Sequence, residues 1–408
     1  METKRYKHLI IVSFDAVAKD DYDVIKTLPN FSEFLTKGNY TFDVEPVYPT
    51  LTYPIHVSMM TGKLPRVHGV INNTLIQPRM RRPDWYWERK YIKSDTLFDA
   101  AARKGLITAA LLWPVTAKAN IKYNMPEIFA NRPWQNQITV SLSSGSIFYQ
   151  LDLVRRFGHL FKSFNQPDLD NFVLECSLYT IKKYKPNLML IHFTDVDTHK
   201  HKYGTKSNKV MEALKRHDIR LSKIRQAIED AGISKDTILC LLGDHGSLDV
   251  EKEIRLNKLF LERGLIREDK KGRIIDYDVY LKSCDGSAYV YLKDDSNIEV
   301  KNKVMEVLDE FNKYYPNAIE RIFTREDSVN LGFDEAAFLM LEGGKGYSFS
   351  SKHFGDVISP SNYKAVHGQL PVKHKTFFAL SDKEVDISGV KKVTDFKKVF
   401  DKILGLKL

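Results

Sequence analysis

Three short, almost wholly apolar runs constrain this chain most: His8–Phe14, Leu188–Phe193 and Thr237–Leu242. None shows the apolar/polar alternation of a strand with one face in water. Runs this short and this continuous read as strands buried on both faces, as in a parallel sheet covered by helices. Helical patterns lie between them. Pro29–Thr36 reads as a helix stopped by Gly38, and Val57–Thr61 as the start of another after the proline-bounded segment Tyr48–Pro54. Ser94–Arg103 reads as a helix capped by Ser94, with Leu97, Phe98 and Ala101 on its apolar face. Leu106–Leu112 then reads as a strand and Lys209–Ala231 as a long helix. This alternation predicts an α/β fold with a mostly parallel central sheet flanked by helices.

The texture changes over residues 253–340. Arg273–Lys282 and Ala288–Leu292 read as strands, and Val300–Lys313 as an amphipathic helix. A smaller α+β insertion is expected there, within a core made of residues 1–252 and 341–408. Arg79–Lys93, rich in Arg, Trp and Tyr, reads as a loop or cap over the sheet edge, the cap running over about 74–93.

Composition narrows the class. An apolar content of 43% over 408 residues excludes a disordered chain. The formal net charge of +10 is spread along the sequence. It reads first as a solvated lysine-rich surface and second as a field that attracts anionic substrates. No nucleic-acid-binding motif is present. Cys176, Cys240 and Cys284 are too few and too far apart for a disulfide framework or a zinc knuckle, and Cys240 reads as a buried hydrophobe. No apolar run is long enough to span a bilayer, and the stretch before Asp15 is too short for a signal peptide. These features lead to the expectation of a cytoplasmic protein without a membrane partner.

Chemistry-bearing residues gather where the strands end, the edge at which open α/β sheets bind ligands. Asp15 follows the first strand; alone, it would be read as a helix cap. Thr52 lies in Tyr48-Pro49-Thr50-Leu51-Thr52-Tyr53-Pro54-Ile55-His56. There two prolines fix the backbone, and a nearby helix start offers free N–H groups to an oxyanion. Residues 194–204 carry two overlapping carboxylate–imidazole pairs, Asp195/His199 and Asp197/His201, both suited to zinc. Asp244-His245, flanked by Gly243 and Gly246, follows the third apolar strand, and Val366-His367-Gly368 comes late. Aspartates and histidines from distant segments, with one constrained threonine, are what a two-metal phosphoryl-transfer site needs.

These residues resemble the alkaline phosphatase superfamily and, within it, the nucleotide pyrophosphatase/phosphodiesterase family. The likeness runs from Phe14-Asp15 to His367-Gly368. Its most specific part is Tyr48–Pro54, then Thr61-Gly62-Lys63-Leu64-Pro65 and His68-Gly69-Val70-Ile71-Asn72-Asn73, with Leu111-Leu112-Trp113-Pro114 adding to it. The resemblance implies an alkaline-phosphatase-like core and a hydrolase acting on a small-molecule phosphodiester or nucleotide through a phospho-threonine intermediate. Thr52 would be the nucleophile, with Thr50 structural. Of two zinc ions per chain, one would be held by Asp15, Asp244, His245 and Thr52, and the other by Asp197, His201 and His367. Another divalent metal, such as manganese, suits the same donors. Asn73 would bind a non-bridging phosphate oxygen together with the Thr52 amide, and Tyr53 would stack a nucleobase. Two departures stand out: Ile55 where the family commonly has Asn, and Lys200 where it commonly has Gly.

Two other enzymes fit the same residues, a phosphomonoesterase and a phosphonate hydrolase. A sulfatase is disfavoured because the Cys/Ser-x-Pro-x-Arg signature is absent. A non-catalytic metal-binding recognition protein is the reading from another class.

Overall fold

The three apolar runs lie side by side in the computed structural model, which describes residues 6–406; the opening residues of the stretch read against a signal peptide fall outside that range. The central sheet comprises β1 (His8–Phe14), β2 (Asn39–Val44), β3 (Thr108–Leu111), β4 (Tyr123–Met125), β5 (Leu188–Phe193), β6 (Thr237–Leu242) and β7 (Thr376–Leu380). Their spatial order is β2-β7-β6-β1-β5-β3-β4. β1 pairs in parallel with β5 on one side and β6 on the other. β7 runs antiparallel to both its neighbours. Alternate residues of β1 enter different cores, Leu9 and Ile11 on one face and Ile10, Val12 and Phe14 on the other. Both faces are therefore covered, and this is why the run is apolar without alternation.

Several element boundaries differ from the sequence expectation. The helix expected to start around Val57 begins at Thr52 and runs to Thr61. Pro54 sits in its first turn, where a missing N–H costs nothing. Thr96, not Ser94, caps the helix Leu97–Arg103: its side chain accepts from the Asp99 amide while Asp99 answers the Thr96 amide, a reciprocal capping box. The strand expected over Leu106–Leu112 is shorter, Thr108–Leu111. The single strand expected over Arg273–Lys282 is two, Ile274–Tyr277 and Val279–Cys284.

A second, antiparallel sheet joins Val279–Cys284, Ser287–Leu292, Leu339–Gly343 and Ile319–Thr324. The helix Ile298–Tyr314 lays Val304, Val307, Leu308 and Phe311 on it. Leu339–Gly343 carries this sheet past residue 340, the expected end of the insertion. The strand Leu248–Ile254 gathers three more short strands, among them Ala365–Val366. All three cysteines are free and buried, and Cys240 lies inside β6 as expected.

One buried charge network holds the helices behind the site. Arg220, 2% exposed, reaches Asp195 at 2.8 Å and Asp170 at 3.4 Å. It thereby ties the helices Asp168–Tyr184, Asp195–Tyr203 and Asn208–Asp230 together. Removing the guanidinium would take a cation from two buried carboxylates, leaving Asp195 with Arg216 and Asp170 with the Thr194 and Asp195 amides. Arg220→Ala is expected to cost about 1.5–3 kcal/mol of unfolding free energy, measured by urea denaturation; a loss under about 1 kcal/mol would show that the network contributes little.

Candidate active site

Strand register sets the site. Phe14 pairs with Phe193 and Ser13 with Leu242, so β1, β5 and β6 release the chain at one edge. Asp15 emerges from β1 and Asp244-His245 from β6. The helix Asp195–Tyr203 after β5 places Asp197 and His201 one turn apart on one face. His367 arrives from another direction: Val366 pairs with Leu248, a few residues beyond His245. Two glycines permit the crowding. A Cβ on Gly243 would lie 1.8 Å from the Val17 carbonyl oxygen, and one on Gly368, at φ +99°, would lie 1.7 Å from that of Cys284.

Thr52 is the first residue of its helix, and its Oγ1 lies 3.2 Å from His245 Nε2. The same nitrogen is 3.4 Å from Asp15 Oδ1 and 3.3 Å from Asp244 Oδ2. Ligand atoms of Asp197, His201 and His367 all lie within 4.8 Å of one another, as do those of Asp15, Asp197 and His245. The structure therefore brings together all seven expected ligands, with Asp197 between the two groups. Asp244 is fixed by its other oxygen, which accepts from the Ala16 and His245 amides at 3.0 and 2.9 Å.

The histidines are oriented alike. Nδ1 of His245, His201 and His367 faces the carbonyl of Gly246, Ala365 and Thr50, at 3.0, 2.8 and 2.8 Å. A carbonyl only accepts, so Nδ1 carries the proton and each Nε2 offers a lone pair. Meanwhile Asp15 Oδ1, Asp197 Oδ1 and Asp244 Oδ2 are buried without a hydrogen-bond partner. Burial, then the Asp244 and Asp197 carboxylates, push the Asp15 carboxyl well above its ordinary range, and burial raises Asp244. Burial and the neighbouring His367 hold His245 well below the usual imidazole value. Burial works against a charged His201, but the Asp197 and Asp285 carboxylates outweigh it and the net shift is upward. Orphaned carboxylate oxygens facing unprotonated nitrogens fit divalent cations, which satisfy both at once.

The two overlapping acid–histidine pairs separate cleanly. Asp195 is taken by Arg216 and Arg220, and His199 lies against it at 3.1 Å. The adjacent threonines separate too. Thr50 is fully buried, donating to the Gln369 carbonyl and accepting from the Gly368 amide. Asn73 Oδ1 accepts from the Tyr53 amide at 2.9 Å, which leaves its Nδ2 donors for another partner. Tyr53 lines the cleft but is 1% exposed, its ring edge-on to Trp85 at 5.2 Å.

The sequence reading gave no site role to four residues. His192 Nε2 lies 3.2 Å from Asp15 Oδ2, yet His192 sits inside a run whose apolar neighbours masked it. Glu127 and the partly exposed Trp85 line the cleft with no spacing to announce them. Lys200, one of the two family departures, is buried; its Nζ donates to the Ala16 carbonyl at 2.8 Å and to Asp21 Oδ2 at 2.7 Å. Ala16 itself has φ +59°, a left-handed turn directly after Asp15. The other departure, Ile55, is fully buried in the core.

All this opens into a cleft of about 1300 Å³. Thr52, Asp15 and Asp197 line it together with Asn73 and Trp85, and Arg79, Arg81 and Lys271 also lie along it.

Comparison with known proteins shows the family and the fold. The family model described as type I phosphodiesterase / nucleotide pyrophosphatase matches residues 9–369. Human ectonucleotide pyrophosphatase/phosphodiesterase family member 1 is 26% identical over 244 residues, covering 57% of this chain and 22% of that protein. Venom phosphodiesterase 2 of Crotalus adamanteus is 23% identical over 234 residues, covering 55% of this chain and 24% of its own length. The chain thus matches under a quarter of the length of these curated relatives. Murine ectonucleotide pyrophosphatase/phosphodiesterase 5 superposes with a TM-score of 0.65 at 18% identity, covering 98% of this chain and 95% of that one. An inactive variant of the murine protein in complex with AMP gives a TM-score of 0.64 at 17% identity, covering 99% and 96%. The architecture is the alkaline-phosphatase-like α/β fold, and the chain belongs to the type I phosphodiesterase / nucleotide pyrophosphatase family.

Proposed function

We propose that this chain is a metal-dependent phosphodiesterase or nucleotide pyrophosphatase that cleaves phosphodiester or phosphoanhydride bonds through a phosphorylated Thr52, with two zinc ions as its cofactors. The observation that carries the reading is the place of Thr52 Oγ1, at a helix start and 3.2 Å from the imidazole nitrogen on which Asp15 and Asp244 also converge. Asp15, Asp244, His245 and Thr52 would hold one ion and Asp197, His201 and His367 the other. Bound there, divalent ions supply the positive charge that favours a threonine alkoxide and neutralises the departing oxygen.

The chain's own residues do the rest. Thr52 forms the new P–O bond as the bond to the leaving group breaks, and water later releases the phosphoryl group from Thr52. Asn73, its Oδ1 held by the Tyr53 amide, directs Nδ2 hydrogens at a non-bridging oxygen. The Thr52 amide, at a helix start and so without an intrahelical acceptor, is the second donor. Trp85, more exposed than Tyr53, offers the ring for a base or another flat group.

Thr52→Ala should reduce hydrolysis of an aryl phosphodiester by about 10³-fold or more. Asn73→Ala should lower kcat by about 10²–10³. A metal-loaded protein that ignores diesters but turns over an aryl phosphomonoester would sink the diesterase reading.

The direction of pH dependence follows from the raised carboxyls of Asp15 and Asp244. A carboxyl raised by folding favours the folded state in full below its unfolded value of about 3.9, and that contribution is lost as pH rises through the folded value. The metal-free protein is therefore penalised near neutrality, and a divalent cation relieves the penalty. Zinc at a hundredfold excess over its Kd should add about 2.7 kcal/mol to stability near neutral pH, an increment that shrinks as pH falls through the folded pKa of Asp15. Identical thermal unfolding of chelated and zinc-loaded protein at neutral pH would contradict the metal assignment.

A further inference from the structure

Away from the cleft, one stretch of chain carries a run of exposed hydrophobic side chains. Trp134, Ile138, Ile147, Phe148, Leu151, Val154 and Phe164 are all exposed, Phe148 at 88% and Trp134 at 80%. Four of them lie on the helix Ile147–Phe157, whose inward face is Tyr149, Gln150 and Leu153. At about 100° per residue, Ile147, Phe148, Leu151 and Val154 span roughly 120° of the opposite side. This helix therefore carries two apolar faces, of which the fold covers one. The preceding helix, Gln137–Ser144, buries Ser144 alone and leaves Ile138 in solvent. A bare apolar face of this kind marks an interaction site.

Charge selects the occupant. Residues 137–166 contain Arg155, Arg156 and Lys162 against one acid, Asp152. Arg155 falls on the same side of the helix as Phe148; its side chain is 75% exposed, with Asp152 at 3.7 Å. Asp152 is already engaged by Arg156 at 2.9 Å and by the Tyr179 hydroxyl at 2.7 Å. A second copy meeting this face symmetrically would set these cations against themselves. The apolar side chains are also spread over two helices and their flanks, rather than forming the single stripe that fills a protein groove. Exposed aromatic and aliphatic side chains interleaved with Arg and Lys match one leaflet of an anionic bilayer, the apolar groups entering the acyl boundary and the cations staying at the headgroups.

We propose that the outward face of the helices Gln137–Ser144 and Ile147–Phe157 is a peripheral docking surface for an anionic lipid membrane. The proposal stands independently of the chemistry assigned to Thr52. It also revises the expectation of no membrane partner, which rested on the lack of a spanning segment; no helix among the described residues is long and apolar enough to cross a bilayer. The surface is coupled to the cleft. Arg132 donates to the Arg82 carbonyl and to Asp84 at 2.7 Å, Asn131 donates to the Pro83 carbonyl, and Phe129 packs edge-on to Trp85 at 5.4 Å. Docking would thus bear on the loop that lines the cleft beside Arg79 and Arg81.

The test is co-sedimentation of the purified chain with vesicles of phosphatidylcholine and phosphatidylglycerol, against vesicles of phosphatidylcholine alone. The wild type should bind the anionic vesicles and be released by salt. The double variant Phe148→Asp/Leu151→Asp should bind about tenfold more weakly or worse, with an unchanged unfolding temperature because both positions are solvent-facing. If that variant unfolds early, tryptophan fluorescence of the wild type with brominated lipid replaces it: quenching by anionic vesicles supports the proposal, and its absence overturns it. Wild type that fails to bind anionic vesicles, or binding that the double variant retains, overturns it too. So does a solution dimer that the variant dissolves in the absence of vesicle binding, which would give the face to a second copy.

Discussion

Asp15, Asp197 and Asp244 are held in one small, buried space, and much of the structure can be understood as the means of keeping them there. Two carboxylates about 4 Å apart repel by about 4 kcal/mol at an effective dielectric constant of 20, so flexible loops could not hold such a cluster. The fold answers with rigidity. Three strands in fixed register deliver the chain to one edge, and the backbone amides of Ala16 and His245 grip one oxygen of Asp244. Three backbone carbonyls fix the histidine rings. Each device leaves a lone pair directed inward, and the set as a whole is complementary to positive charge.

The sequence exposed this centre unusually well because its ligands follow strand ends. Asp15, Asp244 and His245 each come directly after a buried run, and that position carries meaning in an α/β sheet. Helix spacing alone satisfies both Asp195/His199 and Asp197/His201, and it was the family resemblance that favoured the second pair; the fold adds a physical reason, since Arg216 and Arg220, remote in sequence, claim Asp195. His192 was invisible for a related reason. It occupies a strand position whose neighbours advertise a core, and only the fold brings it beside Asp15, the Leu112 carbonyl and Glu127. The misplaced cap at Ser94 reflects two hydroxyl residues two positions apart, which only backbone geometry tells apart.

Outside the centre, the chain has two surfaces with different chemistry. The cleft is lined by aromatic and basic side chains with carboxylates at its floor, an arrangement suited to anionic ligands that carry a flat group. The helices beyond Glu127 present apolar and basic groups outward. The segment Phe129–Arg132 connects the two through Trp85 and Asp84. Direct contacts therefore run from one surface to a wall of the other.

Lys200 stands where the resemblance implies a glycine, and it lies beside the centre. Its buried ammonium bridges the helix that carries Asp197 and His201 to the left-handed turn that carries Asp15, and Asp21 supplies the countercharge. Glycine at 200 would give up the Ala16 carbonyl and take the cation from Asp21, leaving its Oδ2 with the Ala18 amide at 2.9 Å, so a tie between this helix and this turn would go with the side chain.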